Sequence, residues 1–222
     1  YHHVFDDESK KFISQLNHMK NYGDFISYDD SLNLLKLGVN KKDRYFCLSF
    51  DDGFKNIINN VSEILLNLKI PSTFFVPTSF IDNKRNDSGE TFFNNKDIAI
   101  EFLTWKDCKK LASENLFSIG SHSINHKLIS KLSDKDSMFE LTKSKEIIET
   151  QLGSECKHFA PPVGDFSVSR DQDLIKEAGY KSLSTTIRGK MTEEQRDTFF
   201  IKRHHLIASW NRNYLNYFFC KE

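Results

Sequence analysis

The chain has 222 residues, and its 31 basic and 31 acidic side chains give a formal net charge of zero. A zero balance argues against a general nucleic-acid-binding protein, which is usually basic, and the 38% of hydrophobic residues, with 20 phenylalanines in the chain, argue against disorder. No apolar run approaches the roughly 18 residues of a membrane-spanning helix, so no membrane span is expected.

Segments with helical spacing alternate with short apolar runs along the chain. Apolar residues that recur every three to four positions indicate a helix, and a short apolar run ended by turn residues indicates a buried strand. The predicted helices are 11–22, 56–69, 104–114, 133–152 and 172–178. The predicted strands are 45–50, 73–77, 117–120, 158–160, 181–186 and 199–202. This order predicts an α/β fold on a mainly parallel sheet, either open and doubly wound or closed into a small barrel.

No shift in composition divides the chain, so residues 1–222 are expected to form one domain. Segment 82–97, rich in Asn, Asp and Ser, predicts an excursion loop within it. The four cysteines lack the CxxC spacing of zinc knuckles and thioredoxin-like motifs, which favours free thiols and a cytoplasmic location. Because the chain begins with Tyr1 rather than Met, a periplasmic or extracellular location stays open.

The first candidate site follows the strand predicted at 45–50. Ligands of parallel α/β sheets bind beyond the carboxyl ends of the strands, so the residues in those places are candidates for chemistry. Asp51, Asp52 and Gly53 stand there. Asp-Gly is a common turn pair, but two adjacent carboxylates repel each other, and a cation or a shared proton relieves that repulsion.

The second candidate site follows the strand predicted at 117–120. His122 and His126 are four residues apart, a spacing that lets both imidazoles reach one metal ion. They could equally be ordinary surface histidines. Because both candidate sites follow strands of one parallel sheet, we expect them to meet at one rim.

Together the two sites suit metal-dependent hydrolysis. One carboxylate and two imidazoles form a common ligand set for Zn²⁺ or Fe²⁺ that leaves positions open for water and substrate. The second carboxylate would then be available to take a proton from metal-bound water. This arrangement predicts a hydrolase that acts on an amide or an ester.

Three ordered motifs resemble those of the polysaccharide deacetylases, the NodB homology group of carbohydrate esterase family 4. They are Ser49-Phe-Asp-Asp-Gly53, His122-Ser-Ile-Asn-His126 and Phe159-Ala-Pro-Pro-Val-Gly164. The third is similar to the Phe-Ala-Tyr-Pro-Tyr-Gly form of one subgroup, and the resemblance runs from Tyr1-His2 to Lys202-Arg203. It implies a single polysaccharide deacetylase domain with a distorted (β/α) barrel of about seven parallel strands.

The resemblance also implies a role for each matching residue. Asp51 would be the general base, while Asp52, His122 and His126 would hold a divalent metal. Zn²⁺ is the default, and Co²⁺, Ni²⁺ and Fe²⁺ suit the same ligands. The backbone N–H near Val163 would help to bind the tetrahedral oxyanion.

The general acid and the substrate follow from the same resemblance. In the subgroup that begins with Tyr-His, the N-terminal histidine protonates the leaving amine, and His2 is the matching position. His204 and His205, after the last predicted strand, are the alternatives. The expected substrate is an acetylated amino sugar of a surface polysaccharide or its precursor, carrying N-acetyl or O-acetyl groups.

The third motif departs from the family pattern. Ala160 stands where most of the family has the arginine that orients the base, as it also does in the subgroup, and Pro161 and Val163 replace the two tyrosines of the subgroup. Pro161, Pro162 and Trp210 are the candidate substrate-binding residues. Two alternatives remain: a metal-binding glycan-recognition protein without turnover, and a hydrolase of a small cyclic amide on the same fold.

Overall fold

The computed structural model describes residues 1–38, 43–83, 100–192 and 194–220. The helices are α1 (Ser9–Lys20), α2 (Tyr28–Leu37), α3 (Ser62–Leu68), α4 (Trp105–Ala112), α5 (Asp134–Leu152), α6 (Arg170–Glu177) and α7 (Arg212–Cys220). The strands are β1 (Asp24–Phe25), β2 (Tyr45–Phe46), β3 (Leu48–Phe50), β4 (Ser72–Val76), β5 (Phe117–Ser121), β6 (His158–Phe159) and β7 (Ser182–Leu183). Within these ranges, no helix has the length and apolar character needed to cross a bilayer.

The seven strands found in the described residues all pair in parallel. The main sheet has the order β3-β4-β5-β6-β7, so each strand lies beside the next one in the chain, and β1 and β2 form a separate pair. Sequential parallel strands joined by helices are the wiring of a (β/α) barrel, here curled into a half-barrel. The predicted distorted barrel with about seven parallel strands is confirmed.

Some element boundaries differ from the prediction. The strand predicted at 199–202 is reduced to a single bridge between Ile201 and Ser184, because residues 198–200 form a turn. The helix predicted at 56–69 opens with a π-helical turn at Ile57–Val61. Helix α2 and strand β1 were not predicted. The excursion loop predicted at 82–97 lies outside the described residues except for its first two positions.

A row of aromatic rings fixes the strands that carry the first two motifs. Phe50, Phe74 and Phe117 lie on the adjacent strands β3, β4 and β5, with ring centroids 5.6 and 5.3 Å apart. Tyr1 and, from α1, Phe12 pack against the Phe50 ring. Such aromatic contacts add stability beyond the burial of apolar area. The carboxyl ends of β3 and β5 are therefore held at one edge of a rigid sheet.

Gly120, in β5 just before the histidine motif, allows the close approach of the neighbouring strands. A Cβ atom at this position would lie 2.5 Å from the Phe75 ring and 3.1 Å from the His158 carbonyl oxygen. We expect Gly120→Ala to lower the free energy of unfolding by about 1–3 kcal/mol, the usual cost of overpacking, as measured by urea denaturation.

A matched control is available at the end of α5. Gly153 has a φ of 68°, and a Cβ atom there would meet no atom of the described residues within 4 Å. Asn tolerates this left-handed conformation, so Gly153→Asn should change the free energy of unfolding by less than about 1 kcal/mol. Equal losses in the two variants would contradict the role given to Gly120.

Candidate metal centre

The structure brings the two sequence motifs together at one rim of the sheet. Asp52 follows β3, and His122 and His126 follow β5. The three residues each offer one ligand atom, and these atoms all lie within 4.8 Å of one another. Asp52 Oδ1 is 3.4 Å from His122 Nε2 and 3.1 Å from His126 Nε2. The predicted meeting of one carboxylate with two imidazoles is therefore present.

The backbone takes unusual conformations at these positions. Asp52 and His126 have φ values of 72° and 54°, and Ser123 between the histidines has a φ of 65°. A left-handed backbone costs free energy at residues other than glycine and persists only where the surroundings impose it. Such strained positions are concentrated at functional sites. Part of the support is local, because the backbone N–H of His126 donates to Ser123 Oγ.

Glu140 holds the loop that carries the histidines. Its buried carboxylate accepts hydrogen bonds from the backbone N–H groups of Ile124 and Asn125, each at 2.9 Å, and from Asn125 Nδ2 at 2.8 Å. Glu140 was not predicted as a functional residue. In a sequence, an acidic side chain on a long helix is expected to face solvent. Only the packing of α5 against the loop shows the role of Glu140.

The donor set fits a divalent metal ion. His122 Nδ1 lies 2.7 Å from the carbonyl oxygen of Ala160, and because a carbonyl only accepts, Nδ1 carries the proton and Nε2 faces Asp52. Such an outer hydrogen bond is typical of metal-binding histidines. Bonds of about 2.1 Å in a tetrahedral zinc site place ligand atoms about 3.4 Å apart, close to the observed separations of the two imidazoles from Asp52 Oδ1.

The charges at this cluster depend on one another. Burial alone would raise the pKa of Asp52, but hydrogen bonds from His122 and His126 outweigh it and lower the pKa well below its usual range. Burial alone would lower the pKa of His122, yet its contact with Asp52 and the nearby charge of Asp51 raise it. A proton on His122 Nε2 thus occupies the place that a metal ion would take, so metal and proton compete.

Asp51 is held by an arginine from the far end of the chain. Arg203 Nη1 and Nη2 donate to the two carboxylate oxygens of Asp51 at 2.8 and 2.9 Å, and Arg203 Nε donates to the Thr185 carbonyl oxygen at 2.9 Å. In the sequence, Ala160 replaces the arginine that orients the base in most of the family, and no motif assigned that role to another residue. Arg203 supplies an equivalent contact from just beyond the bridge at Ile201.

The arginine keeps the Asp51 carboxyl group ionised. Burial alone would raise the pKa of Asp51, but the Arg203 guanidinium lowers it well below its usual range. A bidentate pair of this kind also fixes the plane of the carboxylate. Asp51 is therefore a fixed anion beside the candidate metal ligands.

Of the three candidate acids, the structure places His2 nearest to the cluster. His2 Nε2 lies 3.9 Å from Asp52 Oδ2, and His2 Nδ1 lies 3.2 Å from His205 Nε2. His204 packs its ring against Phe218 instead, with the centroids 4.8 Å apart. Partial desolvation by the surrounding protein lowers the pKa of both His2 and His205, that of His205 to about 4.

The third motif contacts the centre through its backbone, since Ala160 accepts the hydrogen bond from His122. Val163 has a φ of 58° and an exposed side chain, whereas Pro161 and Pro162 are buried. Left-handed backbone at a β-branched residue is a true outlier. Trp210 packs against α7, so its contact with substrate, like that of the two prolines, stays a prediction.

Removing the arginine should leave a buried, uncompensated charge. In metal-free protein, Arg203→Met should lower the free energy of unfolding by about 3 kcal/mol. Burial then raises the pKa of Asp51 in the folded state above its unfolded value, so stability is lost as pH rises through that pKa. Urea denaturation should therefore show a larger loss at pH 8 than at pH 5.

The double variant Arg203→Met with Asp51→Asn is the control, because it removes both charges and should regain most of the lost stability. A loss that is independent of pH, or one that the double variant does not relieve, would show that the arginine acts only through packing.

Comparison with known proteins agrees with this geometry. A family model described as polysaccharide deacetylase matches residues 38–183. The Streptococcus pyogenes deacetylase PplD in complex with acetate matches with a TM-score of 0.78 and 22% identity, over 98% of this chain and 94% of its own. The de-N-acetylase from Aggregatibacter actinomycetemcomitans has a TM-score of 0.75 and 17% identity, over 95% and 88%.

A family member without activity has a more distant match. BA3943 from Bacillus anthracis, a CE4 family pseudoenzyme, has a TM-score of 0.51 and 17% identity, over 78% of this chain and 58% of its own. At these identities the structural matches show a shared fold. No curated protein matches the chain in sequence.

The family model covers more than half of the chain and includes all three motifs, from Ser49 to Gly164. The chain belongs to the polysaccharide deacetylase family.

Proposed function

We propose that the protein is a metal-dependent deacetylase that removes N-acetyl groups from an acetylated amino sugar of a surface polysaccharide or its precursor. The observation that carries the proposal is the cluster of Asp52, His122 and His126 beside the fixed anion Asp51. A metal site alone has no need of a second buried carboxylate, whereas hydrolysis needs a base.

The three clustered residues would hold the metal, with Zn²⁺ as the default and Co²⁺, Ni²⁺ or Fe²⁺ compatible with the same donors. When bound, the metal would polarise the substrate carbonyl and lower the pKa of water. The hydrogen bond from His122 Nδ1 to the Ala160 carbonyl oxygen holds one imidazole in place for this purpose, and the backbone bonds accepted by Glu140 hold the loop that carries His126.

Asp51 is proposed as the general base. Arg203 keeps the carboxylate ionised and oriented, and each carboxylate oxygen retains accepting capacity beyond its bond to the guanidinium. Asp51 can therefore accept a proton from the attacking water. The same arginine lowers the basicity of Asp51, so position rather than strong basicity supports this role.

His2 is proposed as the general acid. Its Nε2 atom points toward the cluster, where the leaving nitrogen would sit, and it would protonate that nitrogen as the C–N bond breaks. The backbone N–H near Val163 is proposed to bind the oxyanion. The strained, exposed turn at Val163 supports this assignment, because such strain persists where function requires it.

Similarity to a de-N-acetylase and to a deacetylase that binds acetate supports an N-acetyl substrate. An amide also makes greater use of a general acid than an ester does, because an amine leaves poorly without a proton. A second candidate is a glycan-recognition protein without turnover, and its support is the loss of both subgroup tyrosines at Pro161 and Val163. The retained pair of Asp51 and Arg203 favours the enzyme.

The reaction class can be tested with N-acetylated substrates. The protein should release acetate from chitooligosaccharides or from β-1,6-linked N-acetylglucosamine oligomers, and a chelator should abolish the release until Zn²⁺ is restored. Bound metal without acetate release from any of these would favour the non-catalytic candidate.

The division of roles between the two carboxylates can be tested by substitution. Asp51→Asn should lower kcat by about 100-fold or more while metal content, measured by elemental analysis, stays near one ion per chain. The matched variant Asp52→Asn should lose the metal itself. Loss of metal from Asp51→Asn would mean that the two roles are wrongly assigned.

A further inference from the structure

Two histidines from opposite ends of the chain meet at the rim. His2 Nδ1 lies 3.2 Å from His205 Nε2, and the ring centroids are 4.6 Å apart with the planes inclined at 67°. An edge-on approach of this kind points one ring nitrogen at the other. The two residues are 203 positions apart, so only the fold brings them together.

This contact determines which nitrogen of His2 faces the metal centre. Since Nδ1 is engaged by His205, Nε2 is the atom left to face Asp52, 3.9 Å from its Oδ2. A free side chain could rotate about its χ angles and present either nitrogen. A partner behind the ring removes that freedom, and backbone hydrogen bonds from Asp51 to Tyr1 and from Arg203 to Ile187 anchor the two segments that carry the histidines.

The proton balance of the reaction determines the direction of the hydrogen bond between His2 and His205. A bond between two imidazole nitrogens needs one donor and one acceptor. As the C–N bond of the substrate breaks, its electron pair stays on nitrogen and takes the proton from His2 Nε2. His2 can then end as a neutral ring only if Nδ1 keeps its own proton. His205 Nε2 must therefore accept, and the proton of His205 lies on its Nδ1.

We propose that His205 is a positioning residue that accepts a hydrogen bond from His2 Nδ1–H and so holds His2 Nε2 toward the leaving nitrogen. The inference rests on the proposed function, in which His2 is the general acid. It gives the two histidines that competed for the acid role different functions, one donating the proton and the other orienting the donor. His204, adjacent in sequence, packs its ring against Phe218 of α7.

The bond itself can be observed without any turnover. In ¹⁵N-labelled, Zn²⁺-loaded protein, with the signals of His2 assigned by their loss in His2→Gln, the imidazole nitrogen shifts should show a protonated Nδ1 on His2 and an unprotonated Nε2 on His205. In His205→Leu the Nδ1–H form of His2 should no longer be favoured. An unprotonated His2 Nδ1 in the unsubstituted protein would overturn the proposal.

Kinetics test the consequence for catalysis. His205→Leu should lower kcat for acetate release from N-acetylglucosamine oligomers by about 10-fold, with KM little changed. The loss should be smaller than the roughly 100-fold or greater loss from removing the acid in His2→Gln, because His205 is exposed and water can partly replace it. His205→Gln keeps an acceptor at the same place and should recover most of the rate.

A second substrate separates positioning from structural damage. The leaving group of 4-nitrophenyl acetate needs no proton, so His205→Leu should hydrolyse it within about 2-fold of the unsubstituted rate, and His204→Gln should be normal on both substrates. Equal losses on ester and amide, or no loss on either, would overturn the positioning role. If the unsubstituted protein releases no acetate from amides, the proposed function fails, and the nitrogen shifts still decide whether the bond exists.

Discussion

Two adjacent carboxylates buried at the end of one strand are the constraint on which the rest of the site depends. Asp51 and Asp52 cannot both stay ionised out of water unless each faces a positive partner. The fold supplies Arg203 to Asp51 and turns two imidazoles toward Asp52. The first partner is a permanent cation, which makes Asp51 a fixed base. The two imidazoles neutralise Asp52 only when they carry a proton or share a metal ion with it. Asp52 is therefore suited to act as a metal ligand.

Much of the fold follows from patterns that the sequence displays locally. Strand-sized apolar runs and helical periodicity predicted the main elements, because the residues buried on one face of an element recur at a regular spacing in the sequence. Helix α2 was missed although Ser27 caps it and Tyr28, Leu32 and Leu35 are buried along one face. The strand predicted at 199–202 was too long, since residues 198–200 form a turn and leave only the bridge between Ile201 and Ser184.

The candidate site likewise has a part that could be predicted from the sequence and a part that could not. The meeting of Asp52 with the two histidines could be predicted, because carboxyl ends of parallel strands share a rim and the spacing of the histidines is local. Arg203 and Glu140 could not be assigned, since their contacts depend on how distant elements pack, 152 residues apart in the case of Asp51 and Arg203. The absence of an arginine at Ala160 pointed to a missing interaction, and only the structure shows that Arg203 provides it.

Whether Asp52 faces an opening made for a divalent cation can be determined by anomalous diffraction at the zinc edge, from crystals grown with Zn²⁺. We expect one strong peak within about 2.0–2.2 Å of His122 Nε2, His126 Nε2 and a carboxylate oxygen of Asp52, with Asp51 bound to Arg203 and outside the coordination sphere. A peak elsewhere, a peak bound by Asp51, or a direct hydrogen bond from His122 to Asp52 with no metal between them would contradict it.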